Sequence, residues 1–274
     1  MLTLNIVGAG HVGRALGRVF ARSGAFRVQD VLTRSLPSAI EAVAFIGAGR
    51  ACGHHVQLRP ADVCMLAVGD DQIGPACEAL AEAGALDGMV VFHCSGALSA
   101  SHLEAAARAG AKTASIHPIR SFADPEAVAA QFAGTFCGIE GDAGALELLA
   151  PALRLAGARP VPIDASAKTV YHAAAVFASN YLVTLLDTAL RAYQAAGIPE
   201  SVARELAQPL VAETVANVFR LGPAQALSGP VARGDFETVE KQALAVSQWD
   251  AASGQLYRSL VAPTLALAIR KQAL

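Results

Sequence analysis

The stretch Gly8-Ala9-Gly10-His11-Val12-Gly13 holds the first residues whose types and spacing could do chemistry. It follows the apolar run Leu2–Val7 and opens a stretch of helical periodicity, so it reads as a strand-to-helix turn. Gly8 permits the tight turn, Gly10 lets the backbone approach a pyrophosphate, and Gly13 lets strand and helix pack closely. Ala9, His11 and Val12 fill the places between, where helix-opening amides and the helix dipole favour an anion. A dinucleotide is the ligand such a turn accepts. About 20 residues on, where a NAD site places an acidic residue for the ribose hydroxyls, the sequence instead reads Leu32-Thr33-Arg34-Ser35. The one acidic candidate, Asp30, falls inside the strand predicted over Phe26–Leu32. Arg34 offers a forked donor for a 2′-phosphate, and the hydroxyls of Thr33 and Ser35 add donors. NADP is therefore expected ahead of NAD. Val68 and Gly69, ending the next buried run, should pass close to the cofactor, while Asp70 or Asp71 is expected to cap the helix that follows.

Three further segments put polar residues at the ends of apolar runs. In His93-Cys94-Ser95-Gly96, the Ser95 side chain and the Gly96 backbone could bind a substrate carbonyl or carboxylate, with helix capping by Ser95 or Ser99 as the plainer alternative. In Ser115-Ile116-His117-Pro118-Ile119-Arg120, the proline holds His117 extended, and Arg120 could meet an anionic substrate. In Lys168-Thr169-Val170-Tyr171-His172, a helical turn of about 100° per residue puts Lys168, His172, Ala175 and Ser179 on one stripe. A lysine in a low-dielectric cleft has its pKa drawn toward neutrality, which suits it to pass a proton to a carbonyl oxygen. Lys168, His172 and His117 are thus the catalytic candidates, with Tyr171 read as core. Ser95, Gly96, Arg120 and Asn180 are the candidates for substrate contact. The same motifs also suit a nucleotide-binding sensor or interaction module without chemistry.

The elements that must position these residues follow from the hydrophobic pattern. From Leu2 to about Ile163, apolar runs alternate with helical stretches, the pattern of a doubly wound, mostly parallel Rossmann sheet. Strands are predicted at 2–7, 26–32, 63–68, 89–93, 112–115, 135–139 and 159–162, with a weak one around Val56. Helices are predicted at 12–23, 38–46, 72–83, 99–109 and 143–155. After Asp164 the pattern turns wholly helical, which predicts an α/β domain over 1–164 and an all-helical one over 165–274 that completes the substrate site. Its helices are expected at 166–196, 199–220 and from about 237 to 272. The chain of 274 residues is 54% hydrophobic and 16% charged with a net charge of -2, so it can fill two cores and shows no basic footprint for nucleic acid. Five cysteines lack a Cys-x-x-Cys or any metal-like spacing with histidine and read as reduced thiols. A strand begins so near Met1 that no secretion leader is expected, which suggests the cytoplasm. The apolar stretch from about Ala173 to Leu190 carries Ser179, Asn180, Thr184 and Asp187, so a buried helix is expected there, not a membrane span.

These residues resemble the 6-phosphogluconate and β-hydroxyacid dehydrogenase superfamily, which includes ketopantoate and pyrroline-5-carboxylate reductases. More specifically, the chain resembles the branch joining a Rossmann-like domain to a helical DUF2520 domain. It runs through 8–13, 33–35, 93–96, His117-Pro118, 168–180 and 227–235. The resemblance implies NADP-dependent hydride transfer to or from a small carbonyl, hydroxy-acid or imine compound, and pairing of the helical domain with a second copy. In β-hydroxyacid dehydrogenases the catalytic lysine is followed four residues later by asparagine; here Lys168 matches the lysine and His172 stands for the asparagine. The resemblance also implies that Ser228 to Asp235 lies near the cleft or a dimer interface.

Overall fold

A computed structural model describes residues 1–84 and 86–273. Two compact units divide the chain, Met1–Ser179 and Asn180–Leu274. The first is built on eight strands: β1 (Thr3–Val7), β2 (Arg27–Leu32), β3 (Arg50–Cys52), β4 (Val63–Leu66), β5 (Val90–His93), β6 (Lys112–Pro118), β7 (Phe136–Gly141) and β8 (Arg159–Pro162). They form one sheet in the order β3-β2-β1-β4-β5-β6-β7-β8. Every neighbouring pair is parallel except β6 and β7, which are antiparallel. The strand order reverses between β1 and β4, and in a doubly wound sheet ligands collect at the carboxyl ends beside such a reversal.

Around this sheet run α1 (His11–Ser23), α2 (Leu36–Ile46), α3 (Asp70–Ala83), α4 (Glu104–Arg108), α5 (Pro125–Ala130), α6 (Ala143–Leu155) and α7 (Lys168–Val176). Helix α1 buries Ala15, Leu16, Val19 and Phe20, and the Phe20 ring meets Phe26 edge-on at 5.2 Å. That stripe fixes which way the helix's first turn points over the sheet edge. Short α5 had no periodic signal; Asp124 starts it by accepting the Glu126 and Ala127 amides, with Pro125 preset in its first turn. The weak strand expected at Val56 is instead a 3-10 turn, His55–Gln57, and the third strand lies earlier, at Arg50–Cys52. His54 accepts from the Val56 amide while Gln57 Oε1 receives the Gly53 and His54 amides, so these side chains take the bonds a ladder would have used.

The second unit is all helical: α8 (Leu182–Ala195), α9 (Glu200–Leu221), α10 (Pro223–Ala226), α11 (Pro230–Arg233), α12 (Phe236–Trp249) and α13 (Ala251–Gln272). The helix expected from 237 to 272 is broken at Asp250, whose carboxylate accepts the Ser253 amide at 3.0 Å and starts α13 afresh. The helix expected over 166–196 begins as a 3-10 turn and carries a π turn at Phe177–Tyr181. Residues Ala165–Ala195 are long and apolar enough to cross a membrane by length and composition, yet 0% of the most apolar window is buried within the chain. The expectation of a buried helix is corrected here: only its first turn enters the core, and Val170, Phe177 and Val183 stay exposed.

Candidate active site

The glycine turn forms as its spacing requires. Gly8 sits at φ +85°, and a Cβ there would lie 2.6 Å from the Ala67 carbonyl oxygen. A Cβ on Gly13 would collide with the Gly8 carbonyl oxygen, whereas on Gly10 it would meet nothing within 4 Å. Gly8 and Gly13 therefore serve close packing, and Gly10 faces open space. Gly10 caps α1 without a side-chain hydrogen bond, and the first turn of α1 contains no acidic residue. Its amides are left for an anion.

A cleft of about 820 Å³ runs from this turn along the carboxyl edge of β1 and β2. Gly8, Ala9, Gly10, Thr33, Arg34, Ser35, Val68 and Gly69, all expected at the cofactor, line it. Arg34 makes no hydrogen bond or ion pair among the described residues. Thr33 donates to the Ser35 carbonyl, and Ser35 Oγ accepts the Ser38 amide at the start of α2, which fixes the loop that presents the guanidinium. Asp30, the only acidic alternative on β2, is 0% exposed and held by Arg50 at 2.9 Å and Arg59 at 2.7 Å. Burial pushes its carboxyl up, but the hydrogen bonds from Arg59 and Arg50 outweigh that and bring it down to about 2. It cannot serve a ribose. The cradle and the free guanidinium fit a phosphorylated dinucleotide.

A second cleft of about 430 Å³ shares the wall Ala67-Val68-Gly69 and extends over β5 and β6. His11, Val12, Ser95, Gly96, His117, Arg120 and His172 line it. Asp70 lines it too and does not cap α3: Gly69 holds the cap position with no side-chain bond. Ser95 Oγ accepts the Ala97 and Leu98 amides at 3.1 and 3.0 Å, which ties the turn after β5; no helix begins there, so Ser95 does not act as a helix cap. Ser99, the other capping alternative, makes no cap bond, its hydroxyl pairing with Ser101. Arg120 donates to the Gln131 carbonyl and, at 3.4 Å, to Thr135 Oγ1, which pins it beside the cleft. Asn180 belongs to the second unit, is exposed, and lines neither cleft.

Helix α7 meets the sheet where β6 and β7 pair antiparallel, with Ser115 opposite Glu140 and His117 opposite Gly138. Lys168 and Tyr171, about one helical turn apart, lie over these two pairs in turn. Lys168 is 1% exposed, and its Nζ donates to the Ser95 carbonyl at 3.0 Å and to Ser115 Oγ, with Glu140 Oε1 at 3.4 Å. Burial pulls its pKa down and Glu140 opposes the shift. Its ammonium is enclosed, not presented to the cleft. Tyr171 OH lies 2.9 Å from His117 Nδ1. Burial pushes the phenol up to about 12, so it stays protonated; with its O–H donated to Nδ1, the imidazole proton would sit on Nε2. Burial, then His172 and Lys168, hold His117 down to about 4, which makes it a neutral ring. A Cβ on Gly96 would lie 2.8 Å from His117 Nε2 and would collide with His172 Nδ1. His172 Nδ1 is buried with no hydrogen-bond partner among the described residues. His93 is a structural residue: Nδ1 accepts the Ser95 amide and Nε2 meets the Ser99 carbonyl, and burial brings it down to about 4.

Residues 1–118 match the model of the Rossmann-like domain, and residues 135–264 match that of a domain of unknown function, DUF2520. The chain joins a Rossmann-like domain to a DUF2520 domain. In this Rossmann–DUF2520 chain the second cleft takes His117 from one match and His172 from the other. Among solved structures, a Bacteroides fragilis protein provisionally named an NADP oxidoreductase aligns at 20% identity and TM-score 0.77, over 97% of this chain and 98% of that one. A Thermotoga maritima protein aligns at 28% identity and TM-score 0.74, over 98% and 99%. A Plasmodium falciparum pyrroline carboxylate reductase with NADP bound aligns at 13% identity and TM-score 0.61, over 97% and 98%. No curated protein matches the sequence.

Sequence reasoning missed Tyr171, Glu140 and Ser115, and it missed Arg14, His54 and His55 in the first cleft. Glu140 had a signal: a lone acidic residue in the otherwise apolar run Phe-Cys-Gly-Ile-Glu. Tyr171 had one only in hindsight of its neighbours, being a polar-tipped aromatic between two candidate catalytic residues.

Proposed function

We propose that this protein binds NADP(H) along the first cleft and interconverts a small carbonyl, hydroxy-acid or imine compound with its reduced or oxidised partner in the second. The observation that carries this reading is the shared wall Val68-Gly69, which joins a phosphate cradle to a pocket holding a neutral imidazole whose Nδ1 meets a phenol. When bound, the nicotinamide supplies or accepts the hydride. The chain's own part is electrostatic and protonic. His117 Nε2–H faces Gly96 and can donate to a substrate oxygen or nitrogen, as a neutral imidazole does when it acts as an electrophile. His172 offers a second polar atom at the same spot, and Arg120 a positive edge for an anionic substrate. Lys168, expected from sequence as the proton donor, acts in this reading one layer behind, holding the Ser95–Gly96 turn through the Ser95 carbonyl. The names of two structural neighbours, a pyrroline carboxylate reductase with NADP and an Aspergillus terreus reductive aminase with NADPH, support the reaction class.

The test follows NADPH loss with 2-keto acids and cyclic imines, and NADPH formation from NADP with β-hydroxy acids, comparing wild type with His117→Ala. Turnover that falls in the variant while NADPH binding is retained supports the enzyme. Binding with no turnover on any class favours the second reading, a nucleotide-binding module, to which the enclosure of Lys168 lends weight. The helical unit exposes Leu210, Phe219 (87%) and Ile269, so it is further proposed to pair with a second copy. A molar mass of one chain by light scattering would remove that part. All five cysteines are free, in keeping with a cytoplasmic location.

A further inference from the structure

The first cleft contains two side chains with no part in the reading so far. His54 and His55 follow β3 and line the same wall as Thr33, Arg34, Ser35 and Ser38. The loop that carries them is firmly tied. Asp30 holds Arg50, Arg50 donates to the Gln57 carbonyl, and Gln57 Oε1 receives the Gly53 amide at 2.8 Å and the His54 amide at 3.2 Å. The buried carboxylate on β2 thus sets the position of two imidazoles beside Arg34.

One contact sets where the His54 proton sits. His54 Nδ1 accepts the Val56 amide at 3.4 Å, so in the neutral ring the proton is on Nε2, and in the cation it is there as well. The His54 and His55 rings meet edge to face with centroids 6.1 Å apart. His55 Nε2 is buried with no hydrogen-bond partner among the described residues, a condition that costs free energy until a ligand completes it. Arg34 is likewise without a partner among the described residues, and the hydroxyls of Thr33, Ser35 and Ser38 line the same cleft. One guanidinium, two imidazoles and three hydroxyls make a receptor for a dianionic oxygen cluster, and among the described residues no carboxylate lines the cleft to hold a ribose diol.

We infer that His54 and His55 complete the site for the phosphomonoester that distinguishes NADP from NAD, and so share with Arg34 the choice between the two. This rests on the reading of the first cleft as the dinucleotide site. The experiment measures NADPH and NADH affinity by fluorescence titration for wild type, His54→Asn and His55→Phe. Asparagine keeps an acceptor for the Val56 amide and loses the distant donor; phenylalanine keeps the ring volume and loses both nitrogens. The expected result is a loss of about tenfold in NADPH affinity for each variant, with NADH affinity changed by less than about twofold. Melting temperatures within a few degrees of wild type exclude a folding defect, and either variant alone suffices if the other is unstable. Equal losses for both cofactors, or none, overturn the inference while leaving the dinucleotide site intact. Wild type that binds neither cofactor overturns both.

Discussion

The enclosure of Lys168 leads to a quantitative prediction. Its ammonium and the Glu140 carboxylate are 1% and 7% exposed and 3.4 Å apart. With an effective dielectric of about 20, their attraction is about 5 kcal/mol, a sum that offsets the cost of taking both charges out of water. Changing Glu140→Gln leaves an ammonium with only the Ser95 carbonyl and Ser115 hydroxyl; changing Lys168→Met leaves a carboxylate whose remaining partner is the Ala100 amide. Each single change strands a buried charge and should cost about 3 to 5 kcal/mol. The double variant strands none, so its cost should be under about 3 kcal/mol, giving a coupling of at least about 3 kcal/mol, on the order of that seen between directly contacting charges. Scanning calorimetry, read on the transition of the sheet-bearing unit, should show each single variant melting about 10 °C low and the double recovering most of that loss. Single variants within about 1 kcal/mol of wild type, or a double variant that loses the sum of the two, would refute the argument that Lys168 is structural and held by Glu140.

Three further outcomes can be checked. Tyr171→Phe removes the hydroxyl that meets His117 Nδ1 and, in the proposed reading, keeps the proton on Nε2, so turnover should fall about 10- to 100-fold with NADPH affinity unchanged in a fluorescence titration. Gly96→Ala drives a methyl into His117 and His172, so turnover on any active substrate should drop at least about tenfold and stability by about 1 to 3 kcal/mol, measured by steady-state kinetics and urea unfolding. The Asp30 carboxyl lies lower in the folded chain, about 2, than its ordinary 3.8, so its contribution is present above pH 3.8 and is lost as pH falls toward 2. That difference corresponds to about 2 kcal/mol, and urea unfolding from pH 6 to 2 should show the gap between wild type and Asp30→Asn narrowing across that window.

Much of the site was legible because its parts are local. Gly8, Gly10 and Gly13 act within one turn, and the step from Leu32 to Arg34 needs only the end of a strand to be recognised. Lys168 was found but its surroundings were not, since period and propensity reveal which face of a helix is polar and not what lies against it. The same limit hid the apolar stretch after Ala173: its composition suited a core, but the segment stays outside the core once α7 has docked through its first turn.

The sequence by itself determined a glycine turn for a pyrophosphate, a mostly parallel sheet, a helical second half and a basic tip on β2, all of which follow from steric and periodic rules that operate over a few residues. The tertiary structure alone decided that Asp30 is neutralised by two arginines, that Ser115 and Glu140 enclose Lys168, and that Tyr171 meets Nδ1 of His117. Those outcomes depend on the antiparallel register of β6 with β7 and on the docking of α7 across it. Such contacts join residues tens of positions apart, and burial then sets their charge states, which no local pattern encodes.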